Sequence, residues 1–250
     1  MFVSTKGRRT TLDGASRRRI YLFRHGAVDY FGADGNIVDD TDGVALNDTG
    51  RAQAAAMREL FADAHVDKAI CSGLLRTRQT GELVLGSRGI PLEIDAGYVE
   101  IQQLRGAAPE PYDVIADVAF SHFRADDVEA RFLGGERYSD FYLRIQKAIE
   151  GTLADDSWHD LAVFAHGATN AAVLGWVTGI GCSAFGLLDQ ATCCLNVIDF
   201  DIDTQGQLRR KVVRAMNVTA DDPAKRNRHT GDMETLAHRI LKQSGGTRLG

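Results

Sequence analysis

Ile20-Tyr21-Leu22-Phe23-Arg24-His25-Gly26 is the stretch on which the reading of this chain turns. Its first four residues are β-branched, branched or aromatic and read as a short buried strand. The run stops abruptly at an arginine, a histidine and a glycine, and a glycine lets the backbone turn closely around whatever sits there. The pattern recurs at Leu161 to Ala165, the strongest buried-strand signal in the chain, which ends in His166-Gly167. Between the two, Asp67-Lys68-Ala69-Ile70-Cys71-Ser72 reads as another short strand ending in a polar turn at Ser72-Gly73. Strands whose carboxyl ends carry glycine turns and chemistry-bearing side chains suit an α/β protein.

Working outward, the strands alternate with helical patterns. One helix is expected from Asp48 or Thr49, either of which can cap it, through RAQAAAMRELFADA. Others are expected at Leu74 to Leu85, at Tyr138 to Leu153 with Phe141, Ile145, Ala148 and Ile149 on one side, and after His166. Further strands are expected at Ile90 to Ile94 and at Cys194 to Phe200, followed by an edge strand over LRRKVVRAMN. A last short helix is expected over METLAHRILKQ. The sequence thus predicts a three-layer α/β/α fold with a Rossmann-like, mostly parallel central sheet. Residues 1–17 read as a mobile basic arm, with Arg17 to Arg19 a solvated lead-in to the first strand. Residues 18–250 read as a single domain. Within it, the breaker-rich stretch at about 101–135 reads as an insertion over one face of the sheet, and residues from about 219 as a polar tail.

Composition narrows the function classes. The 250 residues are 44% hydrophobic and 25% charged with a net charge of −5, so no global feature points to nucleic acid or a membrane as partner. No apolar run approaches the roughly 20 residues that span a bilayer. The basic start is followed by too short an apolar run for a signal peptide. The four cysteines, Cys71, Cys182, Cys193 and Cys194, have no CxxC or zinc spacing and read as reduced thiols of a cytoplasmic protein. Asp39, Asp40 and Asp42 lack an EF-hand spacing and read as a solvated loop. Oligomeric state is not legible.

Two histidines at one sheet edge could bind a metal, form an acid/base pair, or act as nucleophile and electrostatic partner. Matching carboxylate or cysteine ligands are missing, and the arginines beside the histidines would repel a cation. Arg24 adjoins His25, and Arg76 lies just after the Ser72-Gly73 turn. Arginine presents a rigid fork of donors matched to phosphate oxygens. Two arginines, two imidazoles and glycine-turn N–H groups make an anion pocket, with no metal or other cofactor called for.

The chain resembles the histidine phosphatase superfamily, the phosphoglycerate-mutase-like family, over about residues 20–200. Arg24-His25-Gly26 matches its catalytic motif, and His166-Gly167 is similar to its second-histidine strand end. Leu46…Gly50-Arg51-Ala52-Gln53-Ala54 and Ser72 to Thr80 are similar to its two helix-start signatures, and Gly134-Gly135-Glu136 to the turn before its long helix. The resemblance implies a phosphohistidine on His25, with Arg24, Gly26, Arg76, His166, Gly167 and the N–H of Ala168 around a small phosphorylated substrate. It implies a general acid at Glu100, with Asp95 and Glu93 as alternatives. Arg78 could face the substrate or solvent, and Asp29, Tyr30, Arg105, Arg124 and Arg131 could face the substrate. His65, His122, His159, His229 and His238 lack a matching context and read as surface or core. Ala27-Val28-Asp29 and Ile101 to Gly106 depart from the family's usual residues. The stretch Leu104 to Glu110 lacks the mutases' basic clamp, which favours a phosphatase over a bisphosphoglycerate-dependent mutase or a non-catalytic phosphate binder.

Overall fold

The computed structural model describes residues 9–32, 38, 40–104 and 113–243. The strands are β1 (Arg9–Thr10), β2 (Ser16–Arg24), β3 (Lys68–Cys71), β4 (Leu92–Ile94), β5 (Asp160–Ala165), β6 (Leu195–Ile202) and β7 (Leu208–Val218). The α-helices are α1 (Asp48–Leu60), α2 (Leu75–Leu85), α3 (Tyr138–Ala154), α4 (Gly167–Thr178), α5 (Ala184–Leu187) and α6 (Asp232–Gln243). One sheet runs β4-β3-β5-β2-β6-β7, with β1 added to β2. The half from β4 to β2 is parallel, and β6, β7 and β1 are antiparallel to their neighbours.

Strand alternation builds the three layers. Ile20 and Leu22 of β2, with Leu161 and Val163 of β5, point to a core closed by Phe141, Ile145 and Ile149 of α3 and by α4. Tyr21, Phe23, Ala162 and Phe164 point the other way, onto Met57 of α1 and Val84 of α2. Every residue of β5 is buried, which is why it read as an unbroken apolar run. Asn47, not Asp48 or Thr49, caps α1, its side chain accepting from the Gly50 N–H. The described part of the 101–135 stretch forms short helical turns at Val114–Ala119, Ser121–Arg124 and Phe132–Gly134. No helix among the described residues is long and apolar enough to cross a membrane.

The sequence reading places residues 1–17 in a mobile arm and Arg17 to Arg19 in solvent; of these, the structure puts Arg9, Thr10 and residues 16–19 in the sheet. Arg9 and Thr10 pair with Arg17 and Ser16. Arg17 and Arg19 stand directly opposite Asp201 and Asp199 of β6. Each grips its partner through two bonds, Arg17 at 2.6 and 2.8 Å and Arg19 at 2.7 and 3.0 Å. From β7, Arg210 and Arg214 close on the same two carboxylates, both at 2.7 Å. Arg18, on the other face, is buried over the Trp158 ring and donates to the Leu153 and Asp155 carbonyls. The acidic partners lie some 180 positions away in the chain, so the local sequence shows only a basic run.

This ladder makes an acid-stability prediction. Burial pushes the Asp199 carboxyl up, but the bonds from Arg19 and Arg214 outweigh it and hold it below its ordinary 3.8. A lowered carboxylate contributes stability above the unfolded value, and that contribution disappears as pH falls through the folded one. Asp199→Asn is expected to cost about 1–3 kcal/mol near neutral pH. In urea denaturation the gap to wild type should close on acidification.

Candidate active site

Three neighbouring parallel strands deliver the site. Cys71 of β3 and Phe23 of β2 both register on Phe164 of β5, so Ser72, His166 and the Arg24-His25-Gly26 turn emerge at the same carboxyl edge. The ends are stitched by backbone bonds. The His25 N–H donates to the Ala165 carbonyl, and the Ser72 N–H donates to that of Phe164. The His25 and His166 rings lie 5.3 Å apart, with residue exposures of 2% and 0%.

Hydrogen-bond direction assigns the tautomers. His25 Nδ1 lies 2.8 Å from the Gly26 carbonyl, which can only accept, so Nδ1 carries the proton and Nε2 keeps its lone pair. Burial first, then Arg76 and Arg24, hold His25 well below its ordinary 6.5, so the ring is neutral. At His166 the logic runs through two hydroxyls. Thr77 donates to the Leu74 carbonyl at 2.8 Å, so toward Ser72, 3.0 Å away, it accepts. Ser72 therefore accepts from His166 Nε2 at 2.8 Å. Neutral His166 carries its proton on Nε2, which leaves Nδ1, a buried atom without a protein partner, as a lone pair. Burial, then Arg76, His25 and Arg24, hold this ring neutral too.

Arg76 is 4% exposed, donates to the Thr41 carbonyl at 2.9 Å and lies 5.7 Å from the Tyr30 ring centre. Arg24 donates to the Gln190 carbonyl at 2.5 Å and forms an ion pair with Asp232 at the start of α6. The Nε atoms of both arginines are buried without a protein acceptor. Buried donors are normally satisfied, so two unspent guanidinium donors beside a neutral imidazole mark a place for an anion. Gly167 lies against Arg24, and a Cβ there would come within 3.3 Å of its Nε.

The motif residues that had no individual roles in the sequence reading hold this loop in shape. The Gly26 and Ala27 N–H groups donate to Thr80 Oγ1 and Gln53 Oε1, each at 3.0 Å. The Leu46 N–H donates to Gln79 Oε1 at 2.8 Å. Gly50 sits so close that a Cβ would be 2.1 Å from the Ala27 carbonyl oxygen, so α1 starts against the loop after His25 only with glycine there.

Glu100 is brought to the same edge. Its Oε1 accepts from the N–H groups of Thr169 and Ile101, both at 3.1 Å, and its Oε2 from that of Ala168 at 3.2 Å. The Ala168 N–H, expected at the phosphate, is given to Glu100 in this structure. Glu93 is exposed beside Lys68, and Asp95 caps the short turn Ala96–Tyr98, so the structure brings neither alternative to the site. Arg144 donates to the Val99 carbonyl at 3.0 Å and to Glu136 at 3.1 Å, and Glu136 accepts from the Gln102 N–H at 3.1 Å. The Gly134-Gly135-Glu136 turn thus steadies the Glu100 loop, and a Cβ on Gly135 would fall 2.2 Å from the Gln102 carbonyl. Arg78 and Asp29 are exposed. His122 is half-buried, stacked on Phe132 and bonded to the Tyr138 hydroxyl at 2.9 Å. Arg105 lies outside the described residues.

A second cluster, His65, Asp67 and Asp160, has ligand atoms within 4.8 Å of one another. It lies at the start of β5, far along the strand from His166. Its oxygens are already engaged by Arg9 and by the His159 and Asp160 N–H groups, at 2.9 Å in each case. These are the contacts of an ion-pair network.

The buried histidines make stability depend on pH. Unfolded, His25 and His166 take up protons near 6.5; folded, they resist until well below it. The unfolded chain therefore binds more protons in that window, and stability present above 6.5 is lost as pH falls. The expected slope is about 1 kcal/mol per pH unit for each histidine. His122, pushed down to about 4 mainly by burial, adds a third. Equal urea midpoints at about pH 7.5 and about pH 5.5 would contradict this.

Solved structures of other proteins share the fold. An alpha-ribazole phosphatase from Shigella flexneri superposes with a TM-score of 0.63 at 20% identity, over 80% of this chain and 96% of that one. A mycobacterial glucosyl-3-phosphoglycerate phosphatase superposes with 0.64 at 20% identity, over 80% and 99%. In sequence, the chain is 26% identical over 208 residues to an Arabidopsis thaliana protein named "Probable 2-carboxy-D-arabinitol-1-phosphatase". That match covers 82% of this chain and 43% of the relative, and a Triticum aestivum 2-carboxy-D-arabinitol-1-phosphatase is similar over 42% of its length. The chain thus spans about two fifths of the length of these curated relatives. Residues 20–212 match the model of one family, and this stretch holds both strand-end histidines, Arg24, Arg76 and Glu100. The chain belongs to the histidine phosphatase superfamily, branch 1.

Proposed function

We propose that this chain hydrolyses a small phosphate monoester through a phosphohistidine on His25. The observation that carries the reading is the Nδ1–H bond to the Gly26 carbonyl, which presents a neutral Nε2 lone pair beside the buried Arg76 and the partly buried Arg24. Nε2 attacks phosphorus in line: the N–P bond forms and the bond to the ester oxygen breaks. Arg24 and Arg76 offset the charge on the equatorial oxygens. His166 joins them as a donor through Nδ1, which needs a proton in the bound state, so a phosphate group that carries one in is favoured. Glu100 gives a proton to the departing alkoxide and then takes one from the water that cleaves the N–P bond. The products are alcohol and inorganic phosphate, and His25 returns to its starting form. The phosphatase names of the relatives support hydrolysis over mutase activity. The four free cysteines fit a reducing cytoplasm.

Alkaline rapid quench during turnover of a labelled aryl phosphate, in EDTA, tests this. An alkali-stable, acid-labile phosphoenzyme that maps to His25 is expected. Turnover with no label on His25 would overturn the mechanism. Bisphosphoglycerate-stimulated interconversion of phosphoglycerates without net hydrolysis would favour a mutase instead.

A further inference from the structure

The segment after β7 read as a polar tail, yet it returns to the centre of the site. Asp232, the first residue of α6, pairs with Arg24, the arginine that the proposed function assigns to the phosphoryl group. The carboxylate is also held by Arg228 at 3.0 Å. Arg228 grips Asp189 with two bonds, at 2.8 and 3.0 Å, and the next residue, Gln190, offers the carbonyl that Arg24 binds. The contacts close a ring of Arg24, Asp232, Arg228, Asp189 and Gln190. The helix behind the carboxylate is seated as well. It packs on the Val114–Ala119 turn, Ala237 is buried, and Arg239 lies 5.2 Å from the Phe31 ring centre.

Arg24 is the only one of the anion-facing groups with a carboxylate already on it among the described contacts. An incoming phosphoryl group carries its own negative charge and needs that guanidinium. Two anions sharing one partly buried arginine repel, so the Asp232 contact and the phosphate contact oppose each other. His25 itself is 2% exposed, so a substrate needs a way to it. Lifting α6 frees the Arg24 guanidinium.

We propose that Asp232 is an internal competitor for the phosphate position: α6 rests with its carboxylate on Arg24, and a phosphorylated substrate binds only after it is displaced. The inference rests on the phosphatase reading for Arg24, and it makes the resting protein self-inhibited. Affinity for an anion is then reduced by the fraction of molecules in which α6 is lifted.

The test uses the full chain with inorganic phosphate as probe, followed by calorimetry and as a competitive inhibitor of p-nitrophenyl phosphate hydrolysis. Asp232→Asn keeps the shape and removes the charge. It is expected to tighten phosphate about tenfold and lower KM by a similar factor, with kcat not reduced. Arg228→Gln, which loosens the clamp without touching Arg24, should tighten phosphate by a smaller factor and guards against a misfolded first variant. Unchanged or weaker phosphate binding in both variants would overturn the inference and make Asp232 a positioning partner of Arg24. Failure of wild type and variants alike to bind phosphate would instead sink the phosphatase reading, and this inference with it.

Discussion

His25→Ala is expected to lower kcat for p-nitrophenyl phosphate by on the order of 10⁴-fold or more while leaving the chain folded. The size follows from what the substitution removes. The reaction proposed here runs through a covalent phosphohistidine, and the nucleophile that forms it is a lone pair held in place by the Gly26 carbonyl at 2.8 Å. The arginines and His166 remain, so phosphate should still bind, and only the bond-forming step is lost. Phosphate affinity within a few-fold of wild type, measured together with the collapse of kcat, would separate a missing nucleophile from a damaged pocket. Turnover near the wild-type level would mean that water attacks phosphorus directly. Because burial and two arginines hold His25 neutral below 6.5, the wild-type rate should not fall off at 6.5 through loss of the nucleophile.

Glu100→Gln should discriminate between leaving groups. For an alkyl phosphate, whose alkoxide cannot depart unprotonated, kcat is expected to drop by about 10²–10⁴-fold. For p-nitrophenyl phosphate the leaving phenolate is stable near neutral pH, so its departure needs little help. The first half-reaction should then survive, and the loss should be confined to the step in which water is activated. The expected signature is a burst of p-nitrophenol followed by slow turnover. Glutamine can still accept through one oxygen, so the bonds from the Ala168 and Thr169 N–H groups, at 3.2 and 3.1 Å, are partly retained. Equal losses for both esters without a burst would assign Glu100 to positioning the start of α4, and no loss for either would remove it from the chemistry.

Much of this site was legible because its parts are local. A strand ending in His-Gly announces itself within seven residues, and the register of parallel strands then carries two such ends to one edge. Arg76 could be placed because it follows a strand-end turn. Other contributors were visible only as motif letters. Gly50, Gln53, Gln79 and Thr80 act by close approach or by a single bond to the loop backbone, and neither effect leaves a periodic trace. The basic run Arg17 to Arg19 was misread for a related reason. Whether an arginine faces water or a buried carboxylate depends on the strand beside it, and Asp199 and Asp201 belong to a segment that pairs with it only in the folded sheet.

The sequence by itself determined the alternation of strands and helices, the two strand-end histidines, the arginines beside them and a polar segment after the last strand. Periodicity, glycine placement and residue chemistry are properties of neighbours in the chain. The tertiary structure alone decided which nitrogen of each histidine carries the proton, that the Ala168 N–H goes to Glu100, and that Asp232 rests on Arg24. Each of these is a choice among hydrogen-bond partners far apart in sequence. That choice is made when burial removes water as an alternative and only the geometry of packed elements says which partner is within reach.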